Sequence, residues 1–256
     1  MLITMTSVRG SPGVSSWSLL LASAWPADQG VERVVVEADL DGGVYGARYR
    51  LGVDPGVVSL IAGMRRSMPK LLPVGEHGRL VGADLWVVPG PESAEQARRV
   101  WTGSAAPVAE ILDYDPRVWF ADVGRVSDGD VGLGFVDASA LTVVFTRGAG
   151  EDLIQVPSRV EALHRRTASV AVVVVGKTDY PLEELVAFFG TELVWLVGAS
   201  DDLPSMVGLV LAGGRARRSW LWRSAVELAA RVAEVTGPVE QDPQPRESSR
   251  TVRGLG

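Results

Sequence analysis

The sequence predicts an α/β protein, a mostly parallel sheet of about seven strands with helices on both faces. Three observations predict it. The chain opens with a strand-like run that passes through a glycine-rich turn directly into a helix; short β-branched runs then recur along its length; and helix-like stretches separate those runs. Continuous apolar strands alternating with helices are the pattern of a parallel sheet covered on both sides. With 256 residues and 46% hydrophobic content there is ample material for one large domain, placed at residues 1–235.

The first strand is expected in Leu2–Val8, which is β-branched and apolar, and the first helix in Ser16–Ala24, closed before Pro26. Further strands are expected at Val34–Val36, Leu85–Val88, Val118–Phe120, Leu141–Thr146, Val170–Val175 and Leu193–Val197. Helices are expected at Pro55–Arg66, Glu92–Trp101, Glu151–Arg166, Pro181–Phe189 and Pro204–Leu211. A last helix, about Ser219–Val235, carries Leu221, Ala225, Leu228, Ala229 and Val232 at helical spacing. From Thr236 the composition turns polar and proline-rich, so residues 236–256 read as a disordered tail.

Composition excludes several chemistries. The absence of cysteine removes disulfides, thiolate catalysis and cysteine-ligated zinc, and His77 and His164 stand too far apart in sequence to suggest a histidine cluster. A net charge of −6 argues against a dominant nucleic-acid surface. Arg9, Leu19–Leu21 and Ala22-Ser23-Ala24 imitate a secretory signal, but the apolar core is too short and Gly10, Pro12 and Gly13 interrupt its approach. The expectation is a cytoplasmic protein, with peripheral membrane association as a lesser option. Arg215, Arg217, Arg218 and Arg223 surround Trp220 and Trp222, a cluster able to meet lipid, a partner or phosphate, or simply to cover a sheet edge.

The candidate site begins at the glycine turn. In Arg9-Gly10-Ser11-Pro12-Gly13-Val14-Ser15-Ser16, a strand-to-helix loop aims backbone N–H groups and the positive helix end at one place, the geometry that holds phosphate. Phosphate loops add a lysine and a magnesium-binding hydroxyl. Val14 stands where the lysine belongs, Ser15 and Ser16 supply hydroxyls, and Pro12 removes one N–H. A missing charge-assisted bond, about 1.5–3 kcal/mol, weakens nucleotide binding by about ten- to a hundredfold unless another cation, Arg9 being nearest, replaces it. Two strand ends supply acids, Glu37-Ala38-Asp39 and Asp122-Val123-Gly124-Arg125, and strand ends are where such sheets bind ligands. A second phosphate-loop look-alike, Gly176-Lys177-Thr178, lacks the earlier glycine because Ala171 occupies its place.

These features in this order resemble the MinD/ParA family of P-loop proteins, the deviant Walker class, over residues 1–235. The likeness is nearest to actinobacterial MinD-like proteins, and it implies a P-loop NTPase-like fold. It assigns catalytic roles to Arg9, as the signature residue that crosses to a second subunit, and to Asp39, as the residue that orients water. It assigns nucleotide contacts to Gly10, Ser11, Gly13, Ser15 and Ser16, and magnesium to Ser15 and Asp122. The implied ligand is ATP or ADP with magnesium, or none at all, because Val14, Pro12 and Gly176 depart from the family's pattern together. The implied partners are other proteins and a second copy of the chain, with membrane or nucleic-acid contact ranked below them. The function so implied is a regulatory or scaffold protein with a degenerate nucleotide site, a pseudo-ATPase acting through protein contacts in spatial organisation, pilus-type assembly or secretion. The alternative is an active ATPase switch in which Arg9 replaces the lysine.

Overall fold

The computed structural model describes residues 1–9, 12–26, 30–66, 71–82 and 85–238, side chains at 214 and 215 excepted. In chain order its elements are β1 (Leu2–Ser7), α1 (Val14–Ala24), β2 (Arg33–Glu37), α2 (Tyr45–Arg48), α3 (Val57–Arg66), α4 (Val74–His77), β3 (Arg79–Leu80), β4 (Leu85–Val88), α5 (Ala94–Trp101) and α6 (Ala105–Tyr114). There follow β5 (Val118–Arg125), α7 (Leu133–Ala138), β6 (Leu141–Arg147), α8 (Gly150–Leu153), α9 (Val156–His164), β7 (Val170–Val175), α10 (Leu182–Phe189), β8 (Val194–Val197), α11 (Leu203–Leu211) and α12 (Trp220–Thr236). The strands form one sheet in the order β3-β4-β2-β5-β1-β6-β7-β8.

Seven of those strands match the expected runs, and they pair in parallel. The eighth, β3, was not expected: two residues pair antiparallel with β4 at the sheet edge. A two-residue strand has no periodicity to read. The expected helix at Glu151–Arg166 is instead two, α8 and α9, and Pro157 sits in the first turn of α9, where its missing N–H is harmless but a preceding helix cannot continue through it. The expected strand ending at Phe120 runs on to Arg125, so Asp122 lies inside β5 rather than beyond it. Helices α6 and α7 were unexpected; Gly103, Pro107 and Gly134 give both segments the look of loops. The last helix extends to Thr236, one residue into the expected tail, and residues 239–256 lie outside the described residues. Among the described residues no helix is long and apolar enough to cross a membrane.

Strand alternation divides the core in two. Leu2, Val34, Val36, Trp119, Ala121, Val170, Val172 and Val174 pack on one face, with residues of α3, α6, α7, α9 and α10. Ile3, Met5, Val35, Val118, Phe120, Ala171, Val173 and Val175 pack on the other, with α1, α11 and α12. Because successive side chains alternate across a sheet, Glu37 and Asp122 share the parity of Val35 and Phe120 and face the α1 side. They are also register partners across β2 and β5. The sheet therefore sets two carboxylates next to each other under the start of α1.

The arginine–tryptophan segment resolves locally. A Cβ at Gly198, just past β8, would clash with the Trp220 ring, so Trp220 packs beside the end of that edge strand while remaining 43% exposed. Arg217 sits 5.1 Å over the Trp222 ring. The Arg215 side chain lies outside the described residues.

Candidate functional site

Beyond the carboxyl ends of β1, β2 and β5 is a pocket of about 360 Å³, the position where open α/β sheets take ligands. Its lining includes Pro12, Gly13, Ser15, Asp39, Asp41 and Arg48. Gly13 makes the turn into α1 with φ 92, a left-handed conformation that a side chain would strain. A Cβ there would also press on the end of the Leu203 side chain in α11, 2.6 Å away. Ser15 and Ser16 follow in the first turn and line the pocket. Gly10 and Ser11 fall outside the described residues.

Val14 lines the pocket with only 7% of its surface exposed and belongs to the α1-side core, packed with residues such as Trp17, Leu203 and Val207. The position that would carry a phosphate lysine is thus spent on packing. Arg9 is exposed just past β1 and is not among the pocket-lining residues. Two cations missed by the sequence reading as ligands do line the pocket, Arg48 and Arg125. Arg125 is tied to Asp41 at 2.9 Å, and Asp41 also binds Arg98 at 2.9 Å. Arg48 enters none of the ion pairs among the described residues.

Asp39 lines the pocket, its Oδ1 accepting the Asp41 N–H at 2.8 Å. Burial and then the neighbouring Asp41 charge push its pKa up, against the Asp41 N–H and Arg125, which favour the anion. Gly124, at φ 61, makes room for it: a Cβ there would clash with the Asp39 carboxylate. Asp122 is fully buried beneath. One of its oxygens accepts the Gly124 N–H at 3.2 Å and the other the Tyr45 hydroxyl at 3.0 Å, and the neighbouring Ser15 side chain favours its charged form. Burial, helped by the Asp39 charge, still raises its pKa to about 6. Glu37, 1% exposed, accepts N–H groups from Val44, Tyr45 (2.9 Å) and Gly90 (2.8 Å), and burial lifts it to about 7.

Tyr45 is the residue that joins these parts. Its ring is fully buried, and its single hydroxyl proton is shared between the Asp122 carboxylate and the Ser15 carbonyl oxygen, 2.9 Å away. Sequence reasoning missed it because α2 is a single turn with no periodicity, and its only outward sign is an aromatic residue shortly after Asp39-Leu40-Asp41-Gly42-Gly43. The pocket's helix end and Arg48 suit a phosphate group. Magnesium, which seeks oxygen lone pairs at about 2.0–2.1 Å, finds both Asp122 oxygens already hydrogen-bonded within the protein.

No protein-family model matches the chain, and no curated protein matches it. Solved structures match its fold over nearly the whole chain. The cell division ATPase MinD of Pyrococcus furiosus aligns with a TM-score of 0.72 at 15% identity, covering 91% of this chain and 98% of that one. A ParA family ATPase from Chlorobium tepidum gives 0.66 at 16% identity over 90% and 98%, and the MinC:MinD cell division complex of Aquifex aeolicus 0.62 at 14% over 96% and 98%. The fold is that of MinD/ParA P-loop ATPases.

Proposed function

We propose that this chain is a MinD/ParA-like regulatory or scaffold protein whose nucleotide site is degenerate, acting through protein contacts in spatial organisation, pilus-type assembly or secretion. The observation that carries the reading is Val14, drawn into the core where a phosphate lysine would stand. A weakened phosphate grip beside an intact fold leaves protein contacts as the chain's output, and one protein of like fold is seen bound to its partner MinC. A second copy of this chain and a separate regulatory protein are the partners this reading expects. Isothermal titration with Mg-ATP and Mg-ADP, alongside a phosphate-release assay, tests it. Weak binding and no turnover are expected; submicromolar ATP affinity with steady hydrolysis would sink the reading.

The second reading is an active ATPase switch, and the exposure of Arg9 favours it, because an unburied cation beside the loop is free to reach the ligand of a second subunit. In that case Arg9→Ala and Asp39→Ala each abolish turnover, with Asp39 positioning the attacking water and Ser15 and Asp122 holding the metal. Absence of hydrolysis at high protein concentration with a partner present removes it.

A further inference from the structure

Next to the pocket-lining Ser15 and Val44, though not itself part of the lining, lies a wholly buried tyrosine. Tyr45 begins α2 with its N–H bound to Glu37 and its ring buried near Tyr49, centroids 6.1 Å apart, so the hydroxyl has one place to go. It lies within hydrogen-bond distance of the Ser15 carbonyl oxygen and of Asp122. A bound divalent cation would organise the same neighbourhood, drawing the loop serine and the strand aspartate to one charge. Here a hydrogen-bond donor joins Asp122 to the main-chain carbonyl oxygen of Ser15 rather than to its hydroxyl. A cation approaching Asp122 meets the positive end of the phenol dipole, and the phenol ring cannot swing aside into solvent because it is wholly enclosed.

We infer that Tyr45 replaces the divalent cation, so that a nucleotide's phosphates are bound without metal and their charge is met by Arg48, three residues on and lining the same pocket. The inference rests on the reading of a degenerate nucleotide site, and specifies how that site differs from a metal-dependent one. Glu37 fixes the geometry: through the N–H groups of Val44, Tyr45 and Gly90 it fastens the segment carrying Tyr45 to the loop after β4. Tyr45 is in this sense a positioning residue, and Arg48 the group in contact with ligand.

The test is titration of the full chain with ADP, in EDTA and in excess Mg²⁺, combined with Mn²⁺ electron paramagnetic resonance on the ADP complex. Wild-type affinity should change less than about twofold between the two conditions, with no Mn²⁺ bound; loss of a charge-assisted bond in Arg48→Ala should weaken ADP about tenfold or more in EDTA. Tyr45→Phe, which keeps the ring, should bind Mn²⁺ and gain a dependence on Mg²⁺. Wild-type protein that binds Mn²⁺ with ADP, or binds ADP about tenfold more tightly with Mg²⁺, overturns the inference, as does failure to bind ADP in EDTA. A folded Tyr45→Phe still indifferent to both metals overturns the role given to the hydroxyl. The wild-type measurements decide even if that variant does not fold. Metal-dependent binding without hydrolysis would refute this inference and spare the scaffold reading; metal-free binding with ATP turnover would do the reverse.

Discussion

Strands β2 and β5 bury acids at both ends, and the two ends handle them differently. Before the strands begin, Asp115 is almost enclosed, its carboxylate gripped by Arg117 at 3.0 and 3.1 Å and by the N–H groups of Trp119 and Leu72. Arg117 also binds Glu32 at 2.7 Å, and that bond, the largest cause, lowers the Glu32 pKa. At the far ends Glu37 and Asp122 lie side by side, and among the described residues no ion pair reaches either. Burial dominates there, and both pKa values rise. The first arrangement is a fastening, complete within the chain. The second leaves carboxylates that cost stability when ionised, as buried acids without a counter-charge do.

Arg117→Met attacks the comparison hardest. Removing one partner of a buried pair strands Asp115 as an uncompensated charge, and a loss of about 3–5 kcal/mol is expected in urea unfolding. A loss below about 1 kcal/mol would mean that the two ends are alike after all.

Gly124→Ala comes next. It forces a left-handed residue and sets a methyl group against Asp39, so a destabilisation of about 1–3 kcal/mol is expected by the same measurement. Little change would mean that Asp39 moves freely and that the pocket is looser than its packing indicates.

Changing the pH separates the two ends by sign. Glu37 and Asp122 have folded pKa values of about 7 and about 6, above their ordinary 4.5 and 3.8, so the folded state holds more protons across those windows. Their contribution therefore falls as pH rises, from about 4.5 to about 7 for Glu37 and from about 3.8 to about 6 for Asp122. Glu32, lowered in the folded state, works oppositely: its contribution is present above its ordinary 4.5 and is lost as pH falls through the folded value. Thermal melts should show a higher midpoint near pH 5.5 than near pH 8, and a flat profile would contradict the raised values. The smallest effect belongs to Asp122→Asn, which removes an unpaired charge and keeps an acceptor for Tyr45, offsetting the loss of the acceptor for the Gly124 N–H. It should cost less than about 1 kcal/mol near pH 8 and flatten the pH profile.

The sequence was most legible where burial is greatest. Strands such as β7, Val170–Val175, announce themselves because both faces are covered and every residue is apolar. Elements too short to show a period, β3, α2 and α4, gave no sign. In the site, the glycine turn and the acids of two strands could be read directly, since backbone chemistry demands residue types there. Tyr45 and the service of Glu37 could not. Their meaning depends on Glu37 standing opposite Asp122 in register, and a relation between two strands is written in neither strand alone.

Helix α1 buries every residue except Ser15 and Ser23. It is wedged against α11 and α12 as well as the sheet, and Gly13 abuts Leu203 at the start of α11. The loop is an anvil, then, set on a helix with no room to give. Amide exchange should find the first turn of α1 among the last parts of the molecule to open. Whatever the pocket receives would meet a fixed floor at Gly13 to Ser16, and the adjustment would fall to the long side chains opposite, on the face where Arg48 and Asp41 meet solvent.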